Sequence, residues 1–157
     1  MPRKPRPSFA GPAAGWLALD HQLCFAVYSA SLAMTKLYKP LLAPLGLTYP
    51  QYLVMLVLWE GDGITVSQLG ERLSLDSGTL TPLLKRLEAA GLLQRQRDAA
   101  DERRVLLQLS AAGRKLKSRA VRVPQAVACA TGCNIDELGS LVARLKQLRT
   151  TLNPFAA

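Results

Sequence analysis

The chain is poor in the residues on which metal centres and disulfide scaffolds depend, with three cysteines and one histidine in 157 residues. An odd cysteine count without an export signal argues against a disulfide framework, and the expected compartment is the reducing cytoplasm. The pair Cys129 and Cys133 has the spacing of two metal ligands. A single histidine, and no Asp or Glu nearby before Asp136, leaves the ligand count short, so no metal and no cofactor is expected. Uninterrupted apolar runs are missing too. Pro40 to Trp59 carries no charge, but Pro40, Pro44, Gly46 and Pro50 break it, and Leu53 to Trp59 is too short to cross a bilayer. The segment Met1 to Gly15 is basic and proline-rich without the apolar centre of a secretory signal, and is read as a flexible basic tail. No internal repeat is present.

What is there is apolar and basic. A hydrophobic share of 49% can build a core, and the formal charge is +9. Residues 65–122 hold twelve Lys/Arg against six Asp/Glu, so the basicity sits in the middle of the chain, where a phosphate-binding surface would need it. A charge count alone fits a solvated face equally well.

Between Trp16 and Lys39, apolar residues recur every three or four positions (Leu19, Leu23, Val27, Ala30, Met34, Leu37), which predicts one helix with a buried stripe. Tyr49 to Trp59 predicts a second, strongly apolar helix closed by Glu60 to Gly63. Val66 to Leu73 and Ser77 to Ala90, separated by Ser74, Leu75 and Asp76, form a helix-turn-helix pattern. In its second helix Leu80, Leu83, Leu84 and Leu87 face inward, leaving Ser77, Thr79, Thr81, Lys85 and Arg86 outward. Small hydroxyls followed by basic residues suit a helix entering a major groove. Gly91 ends that helix. Leu92 to Arg97 and Val105 to Leu109 then read as strands joined by a polar, Arg-tipped loop, which is a wing. Ala111 to Ala130 predicts one long basic helix capped by Ser110, and a last helix capped by Asn134 or Asp136 runs to about Leu152.

The expected fold is mostly α with a small two- or three-stranded β wing, a winged helix-turn-helix. It divides into a tail (1–15), N-terminal sensor and dimerisation helices (16–64), the DNA-binding module (65–110) and C-terminal dimerisation helices (111–157). Terminal helices with apolar stripes and little to pack on are expected to pair with a second copy.

Leu69 to Leu73, LLKRLEAAG at 83–91 and DAADERRVLLQLS at 98–110 resemble the helix-turn-helix and Asp-x-Arg wing of the MarR family of transcriptional regulators. LDHQLCFAVYSAS at 19–31, Tyr38, Tyr49 and LDSGTLTPLLKRLE at 75–88 are similar to that family's organic hydroperoxide regulators. The likeness spans residues 16–152. It implies a non-enzymatic repressor, a homodimer that binds double-stranded operator DNA when reduced and lets go when organic hydroperoxide oxidises Cys24. It also implies that Tyr38 and Tyr49 stabilise the thiolate, that the helix from Ser77 reads the major groove, and that Arg103, oriented by Asp101, reaches the minor groove. Lys85, Arg86 and Arg95 are expected to hold phosphates.

The chemistry is consistent. A free cysteine is only about 3% thiolate at neutral pH, and thiolate is the attacking form. Within one helical turn of Cys24 the only basic residue is His21, so phenolic donors are the alternative means of stabilising it. On one straight helix Tyr38 would lie about 21 Å along the axis from its own Cys24, so the two can meet only across a dimer. Tyr28, four residues after Cys24, could line the same pocket. In the family's two-cysteine members a thiol near the end of the long fifth helix of the other subunit resolves the sulfenate. Cys129 occupies that place and Cys133 is the alternative, with Gly132 between them giving backbone freedom. Two rival readings are a repressor that responds to a small phenolic or aromatic ligand and a non-specific architectural DNA protein. A third, a thiol peroxidase, lacks an Arg beside its cysteine and the alternating strands.

Overall fold

The computed structural model describes residues 17–101 and 103–153. The expected tail over 1–15, the start of the first helix at Trp16, and Glu102 of the wing loop lie outside them. The chain divides into two compact units, Met1–Lys36 and Leu37–Ala157.

The first unit contributes a 3-10 turn at Leu19–His21 and the beginning of helix α1, Leu23–Leu42. Gln22, with extended backbone, separates the two, so the helix starts later than Trp16. It also runs past Lys39 and through Pro40. A proline this close to a helix end removes only one late backbone bond, so α1 continues to Leu42. The expected stripe is not buried within the chain. No described residue of this unit is buried, and Leu23 and Val27 are 59% and 43% exposed.

In the second unit a 3-10 turn, Ala43–Leu45, closed by Gly46 at φ 68°, leads to α2, Tyr49–Glu60. Thr48 and Gln51 form a capping box, and Pro50 occupies the first turn, where its missing N–H costs nothing. Tyr52, Val54, Met55, Val57, Leu58 and Trp59 are all buried, so α2 is the central helix, packed against α3 (Val66–Leu73), α4 (Ser77–Ala89) and α5 (Ala111–Ala120). Thr65 caps α3 in a second box with Gln68. Ser74, in the left-handed region at φ 54°, ends α3 and turns the chain into α4. A Cβ on Gly70 would stand 2.8 Å from the Leu75 carbonyl, so only glycine lets the two helices close to this distance.

The sheet has three antiparallel strands in the order β1 (Ile64–Thr65), β3 (Val105–Leu109), β2 (Leu93–Arg97). Arg95 lies opposite Leu107, and Leu93 opposite Leu109. Ser110 caps α5 through the Gly113 N–H at 2.9 Å. The single helix expected over Ala111 to Ala130 is two, α5 and α6 (Arg122–Thr131), interrupted at Val121. Pro124 explains the break, because it cannot donate to the Ala120 carbonyl and its ring crowds it. Helix α7, Ile135–Leu152, is capped by Asn134 in a box with Glu137, which settles the choice against Asp136. None of its residues is buried, and Leu141, Val142 and Leu145 are exposed. Among the described residues no single helix is long and apolar enough to cross a membrane.

Candidate nucleic-acid interface and redox residues

The amino end of α4 is organised by Asp76. Its carboxylate accepts from the Thr79 N–H at 2.8 Å and from the Thr79 hydroxyl at 2.9 Å. The backbone bond first, then the hydroxyl, hold the Asp76 carboxyl below the usual carboxylate range. Thr81 donates its hydroxyl to the Ser77 carbonyl at 2.7 Å. Both threonine hydroxyl protons are therefore committed locally, and their oxygens remain as acceptors. Ser77, Thr79, Thr81, Lys85 and Arg86 are all exposed, while Leu80, Leu84 and Leu87 are buried on the opposite side and Leu83 is half-buried. Pro82 sits inside α4 at an exposed position.

The wing is a tight hairpin. The Asp98 N–H donates to the Arg104 carbonyl and the Arg104 N–H to the Asp101 carbonyl, each at 2.9 Å. The Asp98 carboxylate takes the Ala100 N–H at 2.9 Å, and the Asp101 carboxylate takes the Arg103 N–H at 3.1 Å. Asp101 thus holds Arg103 through its main chain, leaving an exposed guanidinium at the tip. A groove of about 340 Å³ runs between α4 and the wing, lined among others by Ser67, Thr81, Arg95, Arg103 and Arg104.

Arg95, expected to hold a phosphate, has a carboxylate partner within the chain. Its Nε and Nη2 donate to Glu88 Oε2 at 2.8 and 2.6 Å, and its N–H donates to Oε1 at 3.0 Å. These bonds, side chain first and then main chain, pull the Glu88 carboxyl below the usual range. Glu88 escaped the sequence reading. The available signal was a carboxylate on the last turn of a helix facing an arginine across the glycine turn at Gly91.

The rings of Tyr38 and Tyr49 lie 4.6 Å apart at 45°, and Tyr52, not anticipated, stands 5.9 Å from Tyr38 and 6.3 Å edge-on from Trp59. Burial, then the neighbouring Tyr49 and Tyr52, push the Tyr38 hydroxyl above its ordinary pKa, and burial does the same to Tyr52. Tyr38 and Tyr52 therefore stay protonated as donors at neutral pH. Cys24 is exposed in the first turn of α1, and Tyr28 is exposed further along it. Cys129 is exposed in the last turn of α6, which ends on Gly132 at φ 68°. Cys133 is half-buried, with its sulfur 3.7 Å from the Thr131 carbonyl.

The family model for the transcriptional regulator SarA/Rot matches residues 36–120, more than half of the chain. The HTH-type transcriptional regulator TtmR of Methylorubrum extorquens is 52% identical over 136 residues, 87% of this chain and 70% of that protein. The organic hydroperoxide resistance transcriptional regulator of Bacillus subtilis is 47% identical over 137 residues, 87% of this chain and 93% of that one. Among solved structures, AbfR of Staphylococcus epidermidis in its reduced, DNA-bound form superposes with a TM-score of 0.74 at 34% identity, covering 88% of this chain and 95% of AbfR. Its disulfide form superposes at 0.60 and 36% identity, over 83% and 91%. With a helix-turn-helix, an Arg-tipped wing and matches of this extent, the chain belongs to the SarA/Rot family of MarR-like winged-helix transcriptional regulators, and it is not an enzyme.

Proposed function

We propose that this protein is a peroxide-sensing transcriptional repressor of the cytoplasm. As a reduced homodimer it binds a pseudo-palindromic operator, with α4 in the major groove and Arg103 in the minor groove. A two-fold dimer calls for half-sites about 34–36 Å apart or a multiple of that. The exposed apolar faces of α1 and α7 support pairing with a second copy. The Bacillus relative named for organic hydroperoxide resistance, and the reduced, DNA-bound and disulfide forms of AbfR, support a redox-controlled operator switch.

The observation that carries the redox half is the Tyr38–Tyr49 pair at 4.6 Å. Two phenols side by side form a donor pocket for a sulfur anion that brings no charge of its own. In the proposed chemistry the Cys24 thiolate attacks the hydroperoxide O–O bond. It takes one oxygen to become a sulfenate, and the alcohol leaves. The thiol of Cys129 on the partner then condenses with the sulfenic acid, releasing water and forming an intersubunit disulfide. Exposure favours Cys129 over the half-buried Cys133 as the resolving thiol. The decisive test is operator release by cumene hydroperoxide from the wild type and from Cys24→Ser. The serine variant is expected to bind DNA and stay bound. Release from it at wild-type peroxide concentrations would remove Cys24 as the sensor.

A second reading, release by a small aromatic ligand, is favoured by a largely apolar groove of about 440 Å³ lined by Tyr52, Leu56, Trp59, Lys117, Val121 and Pro124. Ligand-dependent release that survives Cys24→Ser would select it.

A further inference from the structure

The connection between the recognition helix and the wing contains an ion pair that the proposed operator contacts do not use. Glu88 sits on the last turn of α4 and Arg95 at the centre of β2, paired with Leu107 of β3. Both carboxylate oxygens of Glu88 are taken by Arg95, one by two guanidinium nitrogens and the other by the main-chain N–H. The pair is about two-thirds covered, with side-chain exposures of 34% and 30%. By contrast, the wing-tip pair of Arg104 and Asp98 is 3.7 Å long, with Arg104 more than half exposed. An arginine used as a phosphate ligand would gain from having no carboxylate beside it. Here the two charges cancel, so the pair adds nothing to the long-range attraction for DNA.

What the pair does add is geometry. Helix α4 and the wing would engage a duplex as two linked modules, and the second contact gains from the first only while the link fixes their spacing. Leu92 N–H to Leu87 carbonyl at 3.0 Å and Gly91 N–H to Glu88 carbonyl at 2.9 Å close the turn itself. Glu88 reaches three residues beyond it to the middle of the strand. We infer that Glu88 is a positioning residue that locks β2 onto α4 through Arg95 and so sets the separation of groove-reading helix and wing tip. The inference rests on the operator-binding reading for what the two modules touch. The lock itself is a property of the free protein.

The test uses the full-length protein, a duplex it selects from a random-sequence library, and a scrambled duplex, with Glu88→Ala, Arg95→Ala, Arg95→Lys and the double alanine variant. A lock predicts that each single variant weakens the selected duplex by about tenfold and that the double variant is no worse than either, since partners in one network are not additive. It also predicts an unchanged salt dependence. Arg95→Lys should behave like Arg95→Ala, because lysine is a good phosphate ligand but cannot reproduce the guanidinium fork. Three results would overturn the inference: a salt slope lowered by about one in Arg95→Ala, tighter binding by Glu88→Ala, or wild-type affinity in Arg95→Lys. Any of these makes Arg95 a phosphate ligand. If the wild type selects no sequence, the operator reading fails, and amide hydrogen exchange of Leu93–Arg97 in the free protein decides the lock alone. Faster exchange in Glu88→Ala upholds it, and unchanged exchange ends it.

Discussion

The indole N–H of Trp59 donates to the carbonyl of Gly113 at 2.9 Å, joining the end of the central helix α2 to the first turn of α5. From the other direction Lys117 donates to the Trp59 carbonyl at 2.8 Å. Gly113 is also pressed against the base of the wing, where an added Cβ would fall 2.0 Å from the Leu92 carbonyl oxygen and 3.2 Å from a methyl of Leu109. Backbone on one side and a buried leucine on the other leave no room to relax. Gly113→Ala is therefore expected to destabilise the fold by about 3 kcal/mol, the scale of overpacking in a well-filled core. Urea unfolding followed by circular dichroism measures it. A loss under about 0.5 kcal/mol, the level of an ordinary surface substitution, would mean that α5 slides freely on the wing base.

Two carboxylates make the protein acid-sensitive in a defined direction. Asp76 is held below the usual range by Thr79 and Glu88 by Arg95. A carboxyl with a lowered folded-state pKa stabilises the fold above its unfolded pKa, about 4, and the contribution disappears as pH falls through the folded value. Stability should thus drop below about pH 5 in the wild type, and the drop should be shallower in Asp76→Ala and in Glu88→Gln. Equal slopes in all three proteins would show that neither bond survives in solution.

Under the proposed redox chemistry, Tyr38→Phe and Tyr49→Phe should each slow sulfenate formation by about tenfold, the effect of losing one hydrogen bond to a charged group. Affinity of the reduced protein for DNA should be unchanged. Stopped-flow measurement of Cys24 oxidation against operator binding separates the two effects. Unchanged oxidation rates in both variants would detach the tyrosines from the thiolate.

Cys129→Ser is expected to react once with hydroperoxide and stop at the sulfenate, while Cys133→Ser should form the intersubunit disulfide as the wild type does. Non-reducing gels and intact mass spectrometry read this directly. A normal bridge in Cys129→Ser would transfer the resolving role to Cys133.

The two kinds of proposed DNA contact should separate by salt. Arg103→Ala should lose about tenfold or more for the selected operator and relax sequence preference, as loss of a base contact does. Lys85→Ala should weaken all sequences alike and lower the salt slope by about one, as loss of a phosphate contact does. The same slope change in both would place Arg103 on a phosphate.

The helix-turn-helix was readable because Leu80, Leu84 and Leu87 repeat at helical spacing, and the starts of α5 and α7 because Ser110 and Asn134 are good cap residues. Tyr38 and Tyr49 were singled out through the resemblance alone, and their contact with each other was not foreseen, since they are separated in sequence and no local pattern joins them. The break in the fifth helix was missed because apolar period and basic composition run straight across Val121, while one proline decides the matter. Strand β1 is two residues long and exists only through its pairing with Leu106 and Leu107, so it has no period to detect. Glu88 was missed because a glutamate late in an amphipathic helix looks like any solvated charge until the chain has turned back to bring Arg95 beside it.

The wing tip is shaped by its own aspartates before any partner arrives. Asp98 and Asp101 each turn a carboxylate back onto a backbone N–H within two residues, and the strand ends on either side of the tip are joined by main-chain bonds. The freedom that the Ala100 and Arg103 main chain gives up to these bonds is surrendered when the chain folds. Under the proposed operator binding, the part of the ordering cost carried by these two N–H groups falls on folding and not on association, which leaves the lifetime of the complex to side-chain contacts.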